Sequence, residues 1–141
     1  MRIAALVVFL TMTGCASSVD DFGPEEDTRH VRLRITNAGA DDPLRCLLSM
    51  AHFITRDIAL IAAGDHVDID LRRGVESGTL YYREDTTVPM AVENLYCGID
   101  RAWAETRVDL DLSALRRGNG VSHDVACRAD GELVCTAEID G

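Results

Sequence analysis

The chain has 141 residues and carries 24 acidic side chains against 14 basic ones, a formal net charge of −10. Every basic residue is Arg and none is Lys. That balance argues against nucleic-acid binding and against a polybasic grip on anionic lipid.

The first segment places Arg2 ahead of an apolar stretch, 3–12, and small residues ahead of Cys15, the layout of an export signal. A ten-residue helix spans about 15 Å, half of a ~30 Å hydrocarbon core, so a permanent membrane span is not expected. Met12-Thr13-Gly14-Cys15 resembles the lipobox of a bacterial lipoprotein; Gly14 and Cys15 fit, and Met12 stands where Leu is usual. The resemblance implies cleavage before Cys15, acylation of its thiol (palmitate) and anchoring to a membrane, with the outer membrane facing the periplasm as the expected address. An ordinary secretory signal cut after Ala16, yielding a soluble periplasmic protein, is the alternative. The expected organisation is a cleaved signal peptide at 1–14, an acidic tether at 15–29 and a single disulfide-linked β-domain at 30–141. Asp20, Asp21, Gly23, Pro24, Glu25, Glu26 and Asp27 leave the tether few apolar anchors.

Within the domain the hydrophobic pattern has mostly period two. Val31, Leu33 and Ile35 alternate with Arg32, Arg34 and Thr36, and stop at Asn37-Ala38-Gly39. In the next segment Asp42-Pro43 suits a helix start, with Leu44, Leu47, Leu48, Ala51 and Ile54 on one helical face. Read as a strand, the same stretch aligns Cys46, Leu48, Met50 and Ile54, and Phe53-Ile54-Thr55 favours that reading. Strand is preferred, with a short helix near 43–55 as the alternative. Val67, Ile69 and Leu71 alternate with Asp68, Asp70 and Arg72; stretches 80–82 and 90–97 are more apolar; Val108, Leu110 and Leu112 alternate with Asp109 and Asp111. Segment 125–139 reads as a hairpin around Asp130-Gly131. The expected class is all-β, a small antiparallel β-sandwich. It is immunoglobulin-like in general architecture only, because Trp103 follows Cys97 instead of lying between Cys46 and Cys97, and Tyr96 adjoins Cys97.

With Cys15 set aside, four cysteines remain, an even number that suits two disulfides in an oxidising compartment. Cys127 and Cys135 lie an even distance apart across one hairpin, which leaves Cys46 with Cys97 as the long-range link. No Cys-x-x-Cys pair occurs, so neither a zinc site nor a thiol–disulfide exchange motif is expected.

No catalytic signature stands out. Ser122-His123-Asp124 has triad residue types, but consecutive residues point in different directions and no Gly-x-Ser-x-Gly elbow is present. Asp65, Asp68 and Asp70, or Asp109 and Asp111, would suit calcium by charge, yet the EF-hand spacing and its glycine are missing. Paired carboxylates carry no specificity in so acidic a chain. Met50 and His52, with Met90 and His66 elsewhere, form a soft thioether–imidazole set suited to Cu(I). Core packing is the simpler role for both methionines, and no cofactor is expected. The expected function is a noncatalytic binding or structural role at the envelope, held by an N-terminal lipid and directed at an envelope protein partner. Trp103, Tyr81, Tyr82 and Phe53 are the candidate contacts. The alternative is an envelope copper carrier or a small hydrolytic enzyme using His52, His66 or His123.

Overall fold

A computed structural model of the chain describes residues 26–39, 41–84 and 88–138. The expected signal peptide at 1–14, Cys15 and the expected tether as far as residue 25 lie outside the described residues. Nine strands form one mixed sheet: β1 (Thr28–Asn37), β2 (Leu44–Met50), β3 (Ile54–Ile61), β4 (His66–Gly74), β5 (Leu80–Tyr82), β6 (Met90–Ile99), β7 (Val108–Asp109), β8 (Ser122–Asp130) and β9 (Glu132–Ala137). Their order is β3-β2-β6-β5-β4-β1-β8-β9, with β7 also paired to β6. Two short helices, α1 (Trp103–Thr106) and α2 (Ser113–Arg117), interrupt the chain between β6 and β8. No helix among the described residues is long and apolar enough to cross a membrane.

The period-two pattern buries one face of each long strand. Val31, Leu33 and Ile35 of β1 meet Leu44, Cys46 and Leu48 of β2, Ile69 and Leu71 of β4, Leu95 and Cys97 of β6 and Val125 of β8 in one continuous core. The intervening Arg32, Asp68 and Asp70 face water, as a half-wetted sheet requires. Strand β6 joins the two halves. Its first residues pair with β5 (Tyr82 opposite Met90), and the rest pairs with β2 and β7. The inward faces of the halves cover each other, which brings β3 against β4 and β7 against β9 without pairing.

The all-β class holds, with one correction of detail. The sheet is not purely antiparallel: β1 runs parallel to β8 over Arg32–Asn37 and Ser122–Cys127. A parallel pair needs a long connection, and here the whole stretch from β2 to α2 supplies it. Segment 43–55 follows the preferred strand reading, with one short helical turn inside it. Strand β2 runs to Met50, a single 3-10 turn covers Ala51–Phe53, and β3 returns antiparallel. Leu44, Cys46, Leu48 and Met50 are buried on one face, so the apolar content that imitates a helical stripe belongs to a strand in the interior of the sheet. Strand β1 begins at Thr28, because Thr28 and Arg29 still find partners in Gly74 and Arg73.

Strand β7 is shorter than its alternation suggests. The Asp111 carboxylate accepts the backbone N–H of Ser113 at 2.8 Å, an Asx-type turn that ends the strand and opens α2. Leu110 and Leu112 stay buried although they are not in a strand. Both disulfides link directly opposed residues. Cys46 joins Cys97 across β2 and β6 (S–S 2.03 Å), and Cys127 joins Cys135 across the β8–β9 hairpin (S–S 2.03 Å).

Candidate functional site

The seam at β6 leaves a wedge between the end of the β2–β3 hairpin and the end of β5. The ladder slips one residue between Ser49 and Met50, and β6 changes partner from β2 to β5 at this point. A cavity of about 390 Å³ opens there. Met50, Tyr82, Val88, Pro89 and Met90 make its walls mainly apolar. At its mouth Arg56 and Glu84, both well exposed, form an ion pair at 3.4 Å. An exposed pair of this kind contributes little stability.

The hairpin turn beside the cavity is unusual. His52 (φ 63°) and Phe53 (φ 59°) both take left-handed backbone conformations. That geometry matches the twist of a tight hairpin, but Asn and Gly are the residues that adopt it without penalty. Each β-carbon in this region costs about 1–2 kcal/mol. Phe53 also leaves its ring 97 % exposed. Backbone strain and an exposed aromatic thus stand together next to an apolar cavity.

The structure brings three of the four soft candidates together. Met50, His52 and Met90 all line this cavity. Met50 is buried, Met90 half-buried and His52 exposed. His66 stands at the other end of the strands, opposite Thr36 at the start of β4. His123 lies on β8 opposite Leu33. Ser122, His123 and Asp124 do not converge: His123 acts electrostatically on Asp111, and Asp124 on Arg34. Among the described residues no group of three His, Cys, Asp or Glu side chains is placed to hold a metal ion.

The acidic candidates have other partners. Asp68 is held in a two-point contact with Arg34 (2.8 and 2.9 Å), and this hydrogen bonding keeps its carboxyl below the usual range. Asp111 is likewise lowered, by the N–H of Ser113. Asp109 moves the other way: partial burial raises it, and nearby Asp111 adds to the effect. Of the aromatic candidates, Tyr81 and Tyr82 are half-buried. Trp103 donates its indole N–H to the Arg45 carbonyl (3.3 Å), and the Arg107 guanidinium lies 5.6 Å from the Tyr96 ring centre and 5.5 Å from that of Trp103. Phe53 is the candidate whose ring stands in water.

The sequence reading omitted Arg56, Glu84, Val88 and Pro89 from this site. Val88-Pro89 just ahead of an apolar strand was the available signal, since Pro ends a ladder and tends to sit at a sheet's margin. Comparison with protein-family models, curated proteins and solved structures finds no match.

Proposed function

We propose that this chain is an exported, lipid-anchored envelope protein, acylated at Cys15 and facing the periplasm from the outer membrane, which binds an envelope protein without catalysis. The observation that carries the binding role is Phe53, fully exposed on a strained turn beside an apolar cavity of about 390 Å³. The fitting occupant is an apolar or aromatic side chain of the partner, seated against Met50, Met90 and Tyr82 with Phe53 closing over it. Buried aromatic anchors of this sort carry most of the energy of an interface. The two disulfides agree with an oxidising compartment.

A photo-crosslinking residue at position 53, used in cells, tests the binding role. A single envelope protein should be captured, and Phe53→Ala should weaken its binding to the purified chain by at least about tenfold. Recovery of only lipid and abundant porins would sink the reading. The anchor has its own readout, because the chain should incorporate labelled palmitate and Cys15→Ala should abolish both the label and the membrane fraction. A soluble, unlabelled wild-type chain would favour the ordinary secretory signal instead.

One observation favours copper as a second reading: Met50, His52 and Met90 share the cavity. Two thioethers and an imidazole form a donor set for Cu(I). Untagged protein loaded with Cu(I) should then retain one equivalent, and Met50→Leu with Met90→Leu should release it. No bound copper after loading ends this reading. Of the three histidines named for the hydrolytic alternative, the cavity contains His52.

A further inference from the structure

Four arginines line a second pocket, of about 430 Å³, between the loop that follows β4 and the end of α2. Arg29 comes from β1, Arg73 from β4, and Arg116 and Arg117 from the last turn of α2. Arg29 and Arg73 are directly opposed in the β1–β4 ladder, so two like charges share one face, an arrangement that ordinarily destabilises a sheet. Arg73 is also only 7 % exposed. It donates to the carbonyl oxygens of Leu115 (3.0 Å) and Gly120 (3.4 Å), and Arg116 donates to those of Val92 (3.0 Å) and Glu93 (2.9 Å). Carbonyls satisfy N–H donors but do not cancel a charge, and a buried charge without a counter-charge is costly.

The chain has acids in excess, yet none of them forms an ion pair with these four arginines among the described residues. The ion pairs there use Arg34, Arg45, Arg56, Arg101 and Arg128. Arg117 acts on Asp111 only at longer range. Two carboxylates stand nearby. Glu76 lines the pocket, and Glu26 is tied to the backbone N–H groups of Glu76 and Ser77 (3.0 Å each) and to the Ser77 hydroxyl. The loop can press this close to α2 because Gly78 (φ 70°) has no β-carbon; one would lie 2.5 Å from the Arg116 carbonyl.

We propose that this pocket binds a phosphate-class dianion, presented either by a soluble phosphate or by a lipid headgroup. The guanidinium groups of Arg29, Arg73 and Arg117, carried by three elements, suit a tetrahedral anion, whose oxygens accept on every side, better than one flat carboxylate. Arg116 keeps its guanidinium on the β6 carbonyls. The bound dianion offsets the charge of Arg73 and the repulsion between Arg29 and Arg73. The pocket also adjoins the start of β1, where the tether joins the domain, so anchoring at Cys15 would hold it near a membrane surface. That last consequence depends on the anchoring proposed above, and the anion site does not.

The test uses the full chain in non-ionic detergent, titrated calorimetrically with inorganic phosphate and, separately, with monomeric dihexanoyl phosphatidic acid. Saturable one-site binding is expected. Arg29→Gln with Arg117→Gln, both exposed positions whose loss leaves the core intact, should weaken it by about tenfold or more. Arg32→Gln, which removes one charge outside the pocket, should change it less than about twofold. Phosphatidic acid binding much more tightly than inorganic phosphate assigns the site to a lipid headgroup, and comparable binding assigns it to a soluble phosphate. No saturable binding of either probe, or equal weakening by Arg32→Gln, overturns the proposal. Because neither phosphate titration involves Phe53 or acylation, failure of the partner-binding reading leaves this result standing, and the reverse.

Discussion

The side-chain amide of Asn37 donates to the carbonyls of Asp42 (3.0 Å) and Ile61 (3.1 Å) from a position with no solvent exposure. Its backbone N–H bonds to the Asp65 carbonyl, and its own carbonyl accepts from Gly64. One residue thus ties the end of β1 to the starts of β2 and β4 and to the end of β3. Asn37→Ala strands buried acceptors, so it should lower unfolding stability by about 2 kcal/mol in urea titration. The sequence shows Asn37 only as the head of an Asn-Ala-Gly break, since a turn residue and a buried hub have the same local signature. Asp109 leads to a prediction with a pH sign. Burial, with Asp111 beside it, raises its native carboxyl above the ordinary 3.8. A raised acid binds protons more tightly in the folded state, so stability falls as pH rises through the native value. Asp109→Asn should therefore raise the melting temperature at pH 7, and this gain should vanish below the ordinary carboxyl range. The effect is small because Asp109 is largely exposed. The opposite sign applies to Asp68, held low by its hydrogen bond to Arg34; its contribution is present at neutral pH and lost on acidification.

At the scale of elements, the turn between β2 and β3 joins backbone strain to the proposed binding role. Two left-handed β-carbon residues in succession, His52 and Phe53, cost about 1–2 kcal/mol each. Replacing them with Asn-Gly, the pair this geometry favours, should stabilise the chain by about 1–2 kcal/mol, because the glycine returns part of the gain as lost backbone entropy. The same change should abolish capture of a partner at this turn. A variant that is less stable than wild type would show that the His-Phe pair serves the fold and not recognition. This turn also marks where pattern reading stops. Strands β1, β4 and β6 are legible because Val31-Leu33-Ile35, Val67-Ile69-Leu71 and the apolar run after Met90 signal one wet and one dry face, or a largely interior strand. The break inside 43–55 is not legible, since His52-Phe53 lacks the Asn, Gly or Pro that usually marks a turn. Helices α1 and α2, of four and five residues, are too short to show a helical period. Of the site, Met50, His52 and Met90 were visible as soft donors, but their meeting depends on the β5–β6 pairing. The four pocket arginines were visible only as Arg29 and the doublets Arg72-Arg73 and Arg116-Arg117, because tertiary pairing alone brings β1, β4 and α2 together.

At the scale of the whole molecule, the two disulfides act on different distances. Cys127–Cys135 closes a loop with a sequence separation of 8, within one hairpin that β-turn geometry around Gly131 already favours. Cys46–Cys97 spans a separation of 51 and ties β2 to β6, the strand that carries the chain from one half of the sheet to the other. In the chain-entropy account the cost of an open loop grows with the logarithm of its length, giving about 2.5 kcal/mol for the short bridge and about 4 kcal/mol for the long one. Cys46 and Cys97 are both without solvent exposure, whereas Cys135 is only half-buried. Alanine at both ends of the long bridge therefore also leaves a small core void, which pushes the two costs further apart. Urea unfolding of Cys46→Ala/Cys97→Ala should show a loss larger than that of Cys127→Ala/Cys135→Ala by at least about 1.5 kcal/mol. A small domain has only about 5–15 kcal/mol in total, so the first variant should keep a much narrower margin of stability at growth temperature than the second. Equal losses would mean that the reduced chain already holds β2 and β6 together before the core forms, and that the long bridge closes a loop the unfolded state has closed in advance. The cavity beside Met50 depends on the same junction, because Met50 ends β2 and Met90 begins β6. Loss of the Cys46–Cys97 bridge should therefore cost partner capture at residue 53 even at temperatures where the variant stays folded, and loss of the hairpin bridge should not.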